Sequence, residues 1–391
     1  MRIGLFTDTY CPQLNGVATS IYMLSTYLRA RGDQVFIFTT TDPAAPKDEE
    51  HVFRIPSLPV LKDRRIGMFY HLGIARQVKR LGLDLIHTHT EFCLGVFGRF
   101  LARELGLPMV HTYHTIYEDY THYLTKRKML ESLAKRFARK ISTDFCNSAD
   151  QVIVPTDKVK DILLSYGVHT EVEPIPTGIE LGRFAPGLYS REDIQRARQA
   201  LGIGDGERVL LYLGRMAEEK NIAELLAHLH PYLQGAEGLR FLLVGDGADR
   251  QRLQDIADDL GMQDKVIFAG AKPYGEIGLY YQAGDVFVNA SQSEAQGLTY
   301  IEAMAAGLPV VAKADRCLEG ILQDGVNGYA FTDQDGLLKA VDRLLRDDVE
   351  RENLRRGALQ TADRFSAEMF ANRVSGVYQS MIDLFKRQMA S

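Results

Sequence analysis

The sequence is poor in cysteine and has no long apolar run and no internal repeat. Its four cysteines form no CxxC pair and no zinc-ligand spacing, which excludes a disulfide framework and favours a reducing compartment. No run approaches the ~18 apolar residues that a membrane-spanning helix requires. The first residues, MRIGLFTDTY, contain no charged-then-apolar leader, and Asp8 interrupts any such pattern. We therefore expect a cytosolic protein that meets a membrane, if at all, from its surface.

Charge is distributed unevenly along the chain. Residues 1–180 contain 22 Lys and Arg against 20 Asp and Glu, whereas the remaining residues contain 24 against 31. The net charge of −5 is too low for the basic footprint of a nucleic-acid-binding domain, so no nucleic-acid partner is expected. Basic residues nevertheless cluster at residues 62–65 and 126–140. These clusters suit contact with an anionic surface.

Short apolar runs alternate with amphipathic stretches, which predicts βαβ units and parallel sheets. The 391 residues suggest two domains, and PIPTGI at Pro174–Ile179 is typical of a hinge. We predict an α/β protein with two doubly wound domains, residues 1–178 plus 368–391 and residues 179–367, and a ligand in the cleft between them. The predicted strands are Ile3–Phe6, Gln34–Thr39, Leu83–His87, Pro108–Thr112, Gln151–Val154, Val209–Leu213, Arg240–Val244, Lys265–Phe268, Asp285–Asn289 and Pro309–Ala312.

The stretch SEAQGLTYIEAMAAGLPVVA, Ser293–Ala312, contains a predicted helix over Thr299–Ala306. Gly297, Leu298 and Thr299 then bring backbone N–H groups to the start of that helix. Unpaired donors and the helix dipole both favour an anion at such a position, and a diphosphate fits there. The sequence therefore predicts an anion site at this helix start.

Two carboxylates flank the predicted anion site. Glu302 lies about 6 Å along the helix axis from Leu298, where it can accept from the hydroxyls of a ribose. Glu294, in the preceding loop, can accept from hydroxyls on the other side of the phosphates. The pattern predicts a bound sugar nucleotide, and the alternative is a pair of solvated acids.

Two further loops follow predicted strands. In GRMAEEKN, Gly214–Asn221, Arg215 and Lys220 stand where cations would neutralise a diphosphate leaving group, although an exposed basic pair is the simpler alternative. In TYCPQLNGVATS, Gly16 precedes a predicted helix at Ser20–Arg31 and could meet the same phosphates from the other domain.

A GxG sequence and a group of histidines have weaker implications. Gly245-Asp246-Gly247 is a poor dinucleotide fingerprint, because Arg250 occupies its third glycine position. The histidines are crowded at positions 87, 89, 111 and 114, but no HExxH is present and packed or hydrogen-bonded histidines are favoured over a zinc site. His114 lies just past a strand end, where the cleft is expected, and we assign it a sugar-facing role.

GRMAEEKN, EAQGLTYIEAMAAGLPVVA and the N-terminal PQLNGVATS together resemble the retaining glycosyltransferases of family 4. The resemblance covers essentially the whole chain. It implies the GT-B fold, with two Rossmann-like domains facing a cleft and a final helix that crosses back to the first domain. HTHTEFCLG followed by HTYHTIYEDYTHY is similar to bacterial members that glucosylate diacylglycerol. A UDP-sugar donor and a diacylglycerol acceptor are thereby implied.

The resemblance also implies roles for matching residues. Glu302 matches the acid at the ribose, and Glu294 matches the acid at the donor hexose. His114 matches the histidine beside the reacting sugar. Arg215 and Lys220 match the phosphate clamp. The donor-binding set is Gly16, Arg215, Lys220, Glu294, Gln296, Gly297, Leu298, Thr299 and Glu302, and the catalytic set is His114, Glu294, Arg215 and Lys220.

The family retains anomeric configuration without a divalent metal, so the resemblance implies no cofactor and UDP-glucose as donor substrate. The implied route is front-face substitution, in which the departing phosphate oxygen takes the acceptor proton. Ala295 departs from the family, whose members often carry a larger or polar residue there. Glucose and galactose therefore both stay open as the donor sugar.

Lys126–Ile141, KRKMLESLAKRFARKI, is predicted to be a surface helix. Apolar residues recur at 129, 133, 137 and 141, and basic residues fill much of the remaining circumference, as in an interfacial helix. The pattern alone also suits a core-packed helix with a solvated basic face. A lipid acceptor favours the membrane interpretation and a peripheral location on the inner face of the cell membrane. The predicted membrane and acceptor contacts are Arg64, Arg65, Phe69, Lys126, Arg127, Lys128 and Phe137.

Other functions remain open from the sequence. The same enzyme type acting on a phosphoinositide, a glycolipid or a soluble sugar is the nearest alternative. A sugar-nucleotide epimerase or hydrolase would need acids and bases poised around a carbon or a water, which the pattern does not supply. A binding module without catalysis would not need the set Arg215, Lys220, Glu294 and Glu302.

Overall fold

The computed structural model describes residues 1–13, 15–46, 48–61, 64–118 and 128–390. The chain divides into two compact units, Met1–Gly178 with Ala367–Ser391 and Ile179–Ser366. We call these the first and second domains. The first domain thus takes in Ala367, one residue before the boundary expected from the sequence.

The described part of the chain alternates strands and helices. The strands are β1 (Arg2–Phe6), β2 (Gln34–Thr40), β3 (Val52–Ile55), β4 (Ser57–Leu61), β5 (Arg64–Gly67), β6 (Leu85–Thr88), β7 (Met109–Thr112), β8 (Gln151–Val154), β9 (Val172–Pro174), β10 (Arg208–Leu213), β11 (Leu239–Val244), β12 (Val266–Gly270), β13 (Val286–Asn289), β14 (Val310–Lys313) and β15 (Gly328–Phe331). The helices are α1 (Gly16–Ala30), α2 (Leu72–Leu81), α3 (Cys93–Leu105), α4 (Lys128–Cys146), α5 (Asp157–Ser165), α6 (Arg191–Ala200), α7 (Ile222–Gly235), α8 (Arg250–Asp259), α9 (Ile277–Gln282), α10 (Leu298–Ala305), α11 (Gln334–Arg346), α12 (Asp348–Asp363) and α13 (Ala367–Ala390).

The first domain is built on a parallel sheet with the order β3-β2-β1-β6-β7-β8-β9. Its central strands are almost entirely buried, and their sequences are nearly continuous apolar runs. This is the pattern of a parallel sheet that is covered on both faces. The chain starts at β1 and winds outward in both directions, so the strand order reverses between β1 and β6. The loops after these two strands meet at one place on the edge of the sheet.

The second domain has a six-stranded parallel sheet with the order β12-β11-β10-β13-β14-β15. Here the order reverses between β10 and β13. Apolar clusters cover both faces of the sheet, one including α10 and the other α7 and α11. The topology therefore brings the loops after β10 and β13 together, which are the loops that contain Lys220 and Glu294.

The last helix, α13, belongs to the first domain. Phe370, Val374 and Tyr378 are buried with α1 residues such as Leu24 in one apolar cluster. The Tyr378 hydroxyl also contacts Nδ1 of His87 on β6 at 2.5 Å. The helix thus fills the interior of the first domain beside its central strands.

Helices α1, α3 and α7 differ from their predicted bounds for identifiable reasons. Helix α1 begins at Gly16 and not at Ser20, because the Asn15 side chain accepts from the Ala18 amide at 2.9 Å and caps it. The sequence predicts a helix over Val96–Leu105, but α3 begins at Cys93, because Asp8 accepts from the Leu94 amide in its first turn at 3.1 Å. The sequence predicts a helix over Ile222–Leu229, but α7 continues through Pro231 to Gly235, since its leucines are buried on both sides of that proline.

Helix α4 confirms the predicted surface helix and extends it. It runs past Ile141 to Cys146, because Phe145 and Cys146 enter the core. In the described part of the chain, no helix combines the length and the apolar character needed to span a membrane.

Candidate functional site

The candidate site lies in the second domain, where the loops after β10 and β13 meet. The side-chain Nδ2 of Asn221 donates to the Ala290 carbonyl at 3.1 Å, and the Ser293 hydroxyl donates to the Glu219 carbonyl at 3.3 Å. Asn221 adopts a left-handed conformation with φ of 52°, which asparagine tolerates better than most residues. These contacts hold the two loops against each other.

The two loops bring Lys220 and Glu294 into direct contact. Lys220 ends a short 3-10 turn, Glu218–Lys220, and its Nζ lies 2.6 Å from Oε1 of Glu294. Both side chains are largely buried, with 11% and 18% of their surface exposed. The pair places a cation and an acid at one point, where each reduces the cost of burying the other.

The start of α10 supplies backbone donors beside this pair. The helix begins at Leu298, one residue before the predicted start, and Gly297 has a φ of 76°. Within the described residues, nothing accepts a hydrogen bond from the amides of Gly297, Leu298 or Thr299. A Cβ on Gly297 would lie 2.4 Å from the Tyr300 ring, so both the conformation and the packing require glycine here. Gln296 precedes this glycine and is buried.

Glu302 lies one turn along α10 and is buried. The Tyr281 hydroxyl donates to its Oε2 at 2.8 Å. Burial raises the pKa of Glu302 to about 7, although the hydroxyls of Tyr281 and Tyr274 act in the opposite direction. A carboxylate has about four lone-pair positions, so the contact with Tyr281 does not exhaust its capacity to accept from a ligand.

Arg215 is held at the rim of the same loop. Its Nη2 donates to Oε1 of Glu219 at 2.6 Å, and about half of the side chain is exposed. The hydroxyl of Tyr212 donates to the Arg215 carbonyl at 3.1 Å and fixes the backbone. Arg215 is thus positioned by contacts within its own loop.

The GxG sequence after β11 has a packing role in this domain. A Cβ on Gly247 would lie 2.1 Å from the carbonyl oxygen of Met216, in the loop after β10. The Met216 amide donates to the Asp246 carbonyl at 2.9 Å. Gly247 therefore allows the two loops to pack closely.

The first domain holds the other predicted site residues. Gly16 is the first residue of α1, and no described atom lies within 4 Å of a Cβ built on it. His114 follows β7, and its Nε2 lies 3.0 Å from Nδ1 of His89. In the described residues, no three His, Cys, Asp or Glu side chains are arranged to hold a metal ion. The histidines instead contact hydroxyl groups, a carboxylate and each other.

The predicted membrane residues are described only in part. Lys126 and Arg127 lie outside the described residues, Lys128 is the first residue of α4, and Arg64 is the first residue of β5. Phe69 and Phe137 are 61% and 68% exposed. The Arg65 guanidinium donates to the hydroxyl and the carbonyl of Ser57, both at 2.9 Å, across the hairpin of β4 and β5.

Several residues that shape the site were missed by the sequence analysis. Asn221, Ser293 and Tyr281 act through contacts with residues that are distant along the chain. Asparagine directly after a short turn is a sequence signal for a positive φ, and it would have indicated Asn221. Tyr281 gives no such signal, because its partner is defined by the packing of α9 against α10.

Family models and curated relatives both match this chain to glycosyltransferases. Residues 14–183 match the family described as "Glycosyltransferase Family 4", and residues 193–361 match "Glycosyl transferases group 1". The chain is 42% identical over 98% of its length to an alpha-monoglucosyldiacylglycerol synthase of Streptococcus pneumoniae, covering 86% of that protein. It is 34% identical to a protein of the same name from Acholeplasma laidlawii, covering 98% of each.

Solved structures share the fold. A sucrose-phosphate synthase from Thermosynechococcus elongatus superposes with a TM-score of 0.78 at 24% identity, covering 98% of this chain and 99% of that one. Anabaena HepE in complex with UDP-glucose superposes with a TM-score of 0.75 at 20% identity, covering 97% and 100%. The two parallel-sheet, Rossmann-like domains are those of the GT-B fold, which confirms the fold class predicted from the sequence.

Because burial raises the pKa of Glu302 to about 7, stability should depend on its protonation. Because the folded-state pKa is raised, the stability that protonated Glu302 contributes to the folded chain is fully present below about pH 4.5. This stability is lost as the pH rises through about 7 and the carboxyl ionises. Between pH 5 and pH 8, the ligand-free chain should therefore lose about 2–3 kcal/mol of stability relative to Glu302→Gln. Paired melting curves at several pH values measure this difference, and a constant offset would contradict it.

Proposed function

This chain belongs to glycosyltransferase family 4, and we propose that it transfers glucose from UDP-glucose to the 3-hydroxyl of 1,2-diacylglycerol with retention of configuration. The product would be alpha-monoglucosyldiacylglycerol. Two relatives with that activity in their names, matched over 98% of this chain, support the acceptor and the sugar. The observation that carries the proposal is the contact of Lys220 with Glu294 beside the amides at the start of α10.

The site supports a nucleotide-sugar donor for the following reasons. Lys220, Arg215 and the amides of residues 297–299 offer positive charge and N–H donors, which suit a diphosphate. Glu302 offers a buried carboxylate for ribose hydroxyls, and Glu294 offers one for hexose hydroxyls. The cations and amides thus complement the diphosphate of the donor, and the two acids complement the hydroxyl groups of its ribose and hexose.

The proposed reaction is a front-face substitution. The acceptor oxygen forms a bond to the anomeric carbon on the face from which the diphosphate departs, and the bond from that carbon to the phosphate oxygen breaks. The departing phosphate oxygen takes the acceptor proton, so no protein base is required. Lys220 and Arg215 stabilise the charge that develops on the leaving group, and no metal is proposed for that task.

The acceptor is proposed to arrive from an anionic membrane surface. Leu133 and Phe137 on α4 are 54% and 68% exposed, and they lie four residues apart on a helix that also carries Lys135, Arg136 and Lys140. Exposed apolar side chains among basic ones are typical of a helix that lies in the lipid interface. This supports a peripheral location on the inner face of the cell membrane.

A second exposed apolar group belongs to the same domain. Met68, Phe69 and Leu72 are exposed, and the Tyr70 ring contacts Phe100 with centroids 5.1 Å apart. A contiguous group of this kind on a protein surface marks an interaction site more often than scattered apolar residues do. It supports a lipid acceptor over a soluble sugar.

The function is tested with purified protein, UDP-glucose and dioleoylglycerol in vesicles that contain phosphatidylglycerol. We expect a monoglucosyl lipid by mass spectrometry and an alpha anomeric coupling by NMR. UDP-galactose, a phosphoinositide and free sugars serve as competing substrates. UDP release with a soluble sugar but not with diacylglycerol would overturn the acceptor, and a beta product would overturn the stereochemistry. Release of UDP with no acceptor at all would indicate hydrolysis.

Lys220→Ala should lower kcat by about 10²–10³, because one preorganised cation at a leaving group is lost. Lys313→Ala is the matched control, since Lys313 Nζ pairs with Glu224 at 2.7 Å with similar burial in the same domain. Both variants break a Lys–Glu pair, so loss of stability should be comparable. Steady-state kinetics and melting temperatures compare them, and equal kcat values would contradict the assignment of Lys220.

Replacement of Leu133 and Phe137 together by serine should weaken binding to anionic vesicles by about tenfold or more, because two exposed apolar side chains no longer enter the interface. Vesicle sedimentation at two salt concentrations measures the binding. Leu188→Ser is the control, since Leu188 is 53% exposed but belongs to the second domain. Unchanged binding of the double variant, or equal loss in the control, would exclude α4 as the membrane contact.

A further inference from the structure

His89 and His114 form a hydrogen-bonded pair past the ends of β6 and β7. Nδ1 of His89 lies 3.0 Å from Nε2 of His114, and the two rings are stacked with their planes 23° apart. His89 is only 2% exposed. The hydrogen bond and the stacking together fix the orientation of the His114 ring.

Both imidazoles are neutral at physiological pH. Burial lowers the pKa of His89 well below its ordinary value and lowers that of His114 to about 3, and the surrounding histidines act in the same direction. Each ring therefore carries a single proton, which is either on Nδ1 or on Nε2. One shared hydrogen bond then couples the tautomers of the two rings.

Only two arrangements satisfy that hydrogen bond. In the first, Nδ1–H of His89 donates to His114, so Nε2 of His89 is bare and His114 carries its proton on Nδ1. In the second, Nε2–H of His114 donates to His89, and His89 must then carry its own proton on Nε2.

The environment of His89 Nε2 distinguishes the two arrangements. This atom is fully buried, and it has no hydrogen-bond partner among the described residues. A buried N–H without an acceptor is rarer than a buried acceptor without a donor, which favours the arrangement with a bare Nε2. The neighbouring histidines differ, since His87 and His111 each contact partners through both nitrogens.

We propose that His89 is a positioning residue that holds His114 in its Nδ1–H tautomer, so that His114 presents a neutral N–H donor to the donor sugar or its phosphate. This assignment rests on the proposed function for the identity of the ligand. Apart from the contact with His89, no hydrogen bond joins the His114 ring to the described residues. Nδ1 of His114 is therefore the nitrogen that is left for substrate.

The tautomer is measured directly on the wild-type chain. Protein labelled with ¹⁵N-histidine gives long-range ¹H–¹⁵N correlations that separate the two neutral tautomers and the imidazolium. The His114 signals are assigned by their loss in His114→Asn. We expect the Nδ1–H form of His114 and the Nδ1–H form of His89. An Nε2–H or charged His114 would overturn the proposal, whether or not the chain transfers glucose to lipid.

Variants of His89 test the consequence for catalysis. His89→Phe keeps a ring but removes the donor, so His114 should lose its single tautomer and kcat should fall at least tenfold with KM changed less than threefold. His89→Asn places an amide N–H near the former Nδ1, and it should restore kcat to within about threefold of wild type. Failure of His89→Asn to exceed His89→Phe would contradict the positioning role.

His87→Phe is the control for loss of a buried imidazole. It removes hydrogen bonds to Tyr378 and Thr112, so the melting temperature should fall. The His114 tautomer should be unchanged, because the bond to His89 remains. A shift of the His114 tautomer in His87→Phe equal to that in His89→Phe would show that the effect is one of packing. If wild-type protein shows the expected tautomer but no transfer, the proposed function fails and the tautomer assignment stands.

Discussion

The buried contact between Lys220 and Glu294 is the interaction on which the candidate site depends. Each charge alone would cost several kcal/mol to remove from water, and the contact offsets part of this cost for both side chains. The contact forms because β10 and β13 are neighbours at the reversal of the strand order. A ligand phosphate that approaches Lys220 would compete with Glu294 for the ammonium, and the carboxylate would then be available to hydroxyl groups. With a sugar phosphate bound, Lys220 could therefore contact the phosphate while Glu294 contacts the sugar hydroxyls.

Much of the fold could be predicted from the sequence, because buried parallel strands are short apolar runs whose character does not depend on distant residues. Gln151–Val154 was predicted with its observed bounds. Strands β3, β4, β5, β9 and β15 were missed, since these short segments do not read as continuous apolar runs. Some helices begin earlier than predicted, because a residue outside the periodic pattern accepts a hydrogen bond from the first turn, as Asp8 does from Leu94 in α3. The residue types at the site were recognisable, but the contact of Lys220 with Glu294, 74 positions away, required the sheet order.

In both domains, candidate site residues lie near the point where the strand order reverses, but the chemical groups found there differ. In the second domain, the candidate residues Lys220 and Glu294 follow β10 and β13, between which the strand order reverses. In the first domain, Gly16 and His89 follow β1 and β6, where the order also reverses, and His114 follows the next strand, β7. The second domain places Lys220, Glu294, Glu302 and the backbone amides at the start of α10 there, and these groups suit a charged ligand. In the first domain, burial lowers the pKa of His89 and His114 below the ordinary value, so these two imidazoles act as uncharged hydrogen-bonding groups at neutral pH. Both kinds of group suit the proposed reaction, in which the leaving group is anionic and the sugar is uncharged.

The position of α13 has a consequence for the order of folding during synthesis. This helix packs beside the central strands of the first domain, yet it follows the whole of the second domain along the chain. The second domain is continuous in sequence, so it can leave the ribosome and fold before α13 has been made. The first domain must wait, with the apolar face of α1 and the imidazole of His87 uncovered, until Tyr378 emerges. During synthesis the second domain can therefore fold before the first, whose apolar surface stays exposed until α13 has been made.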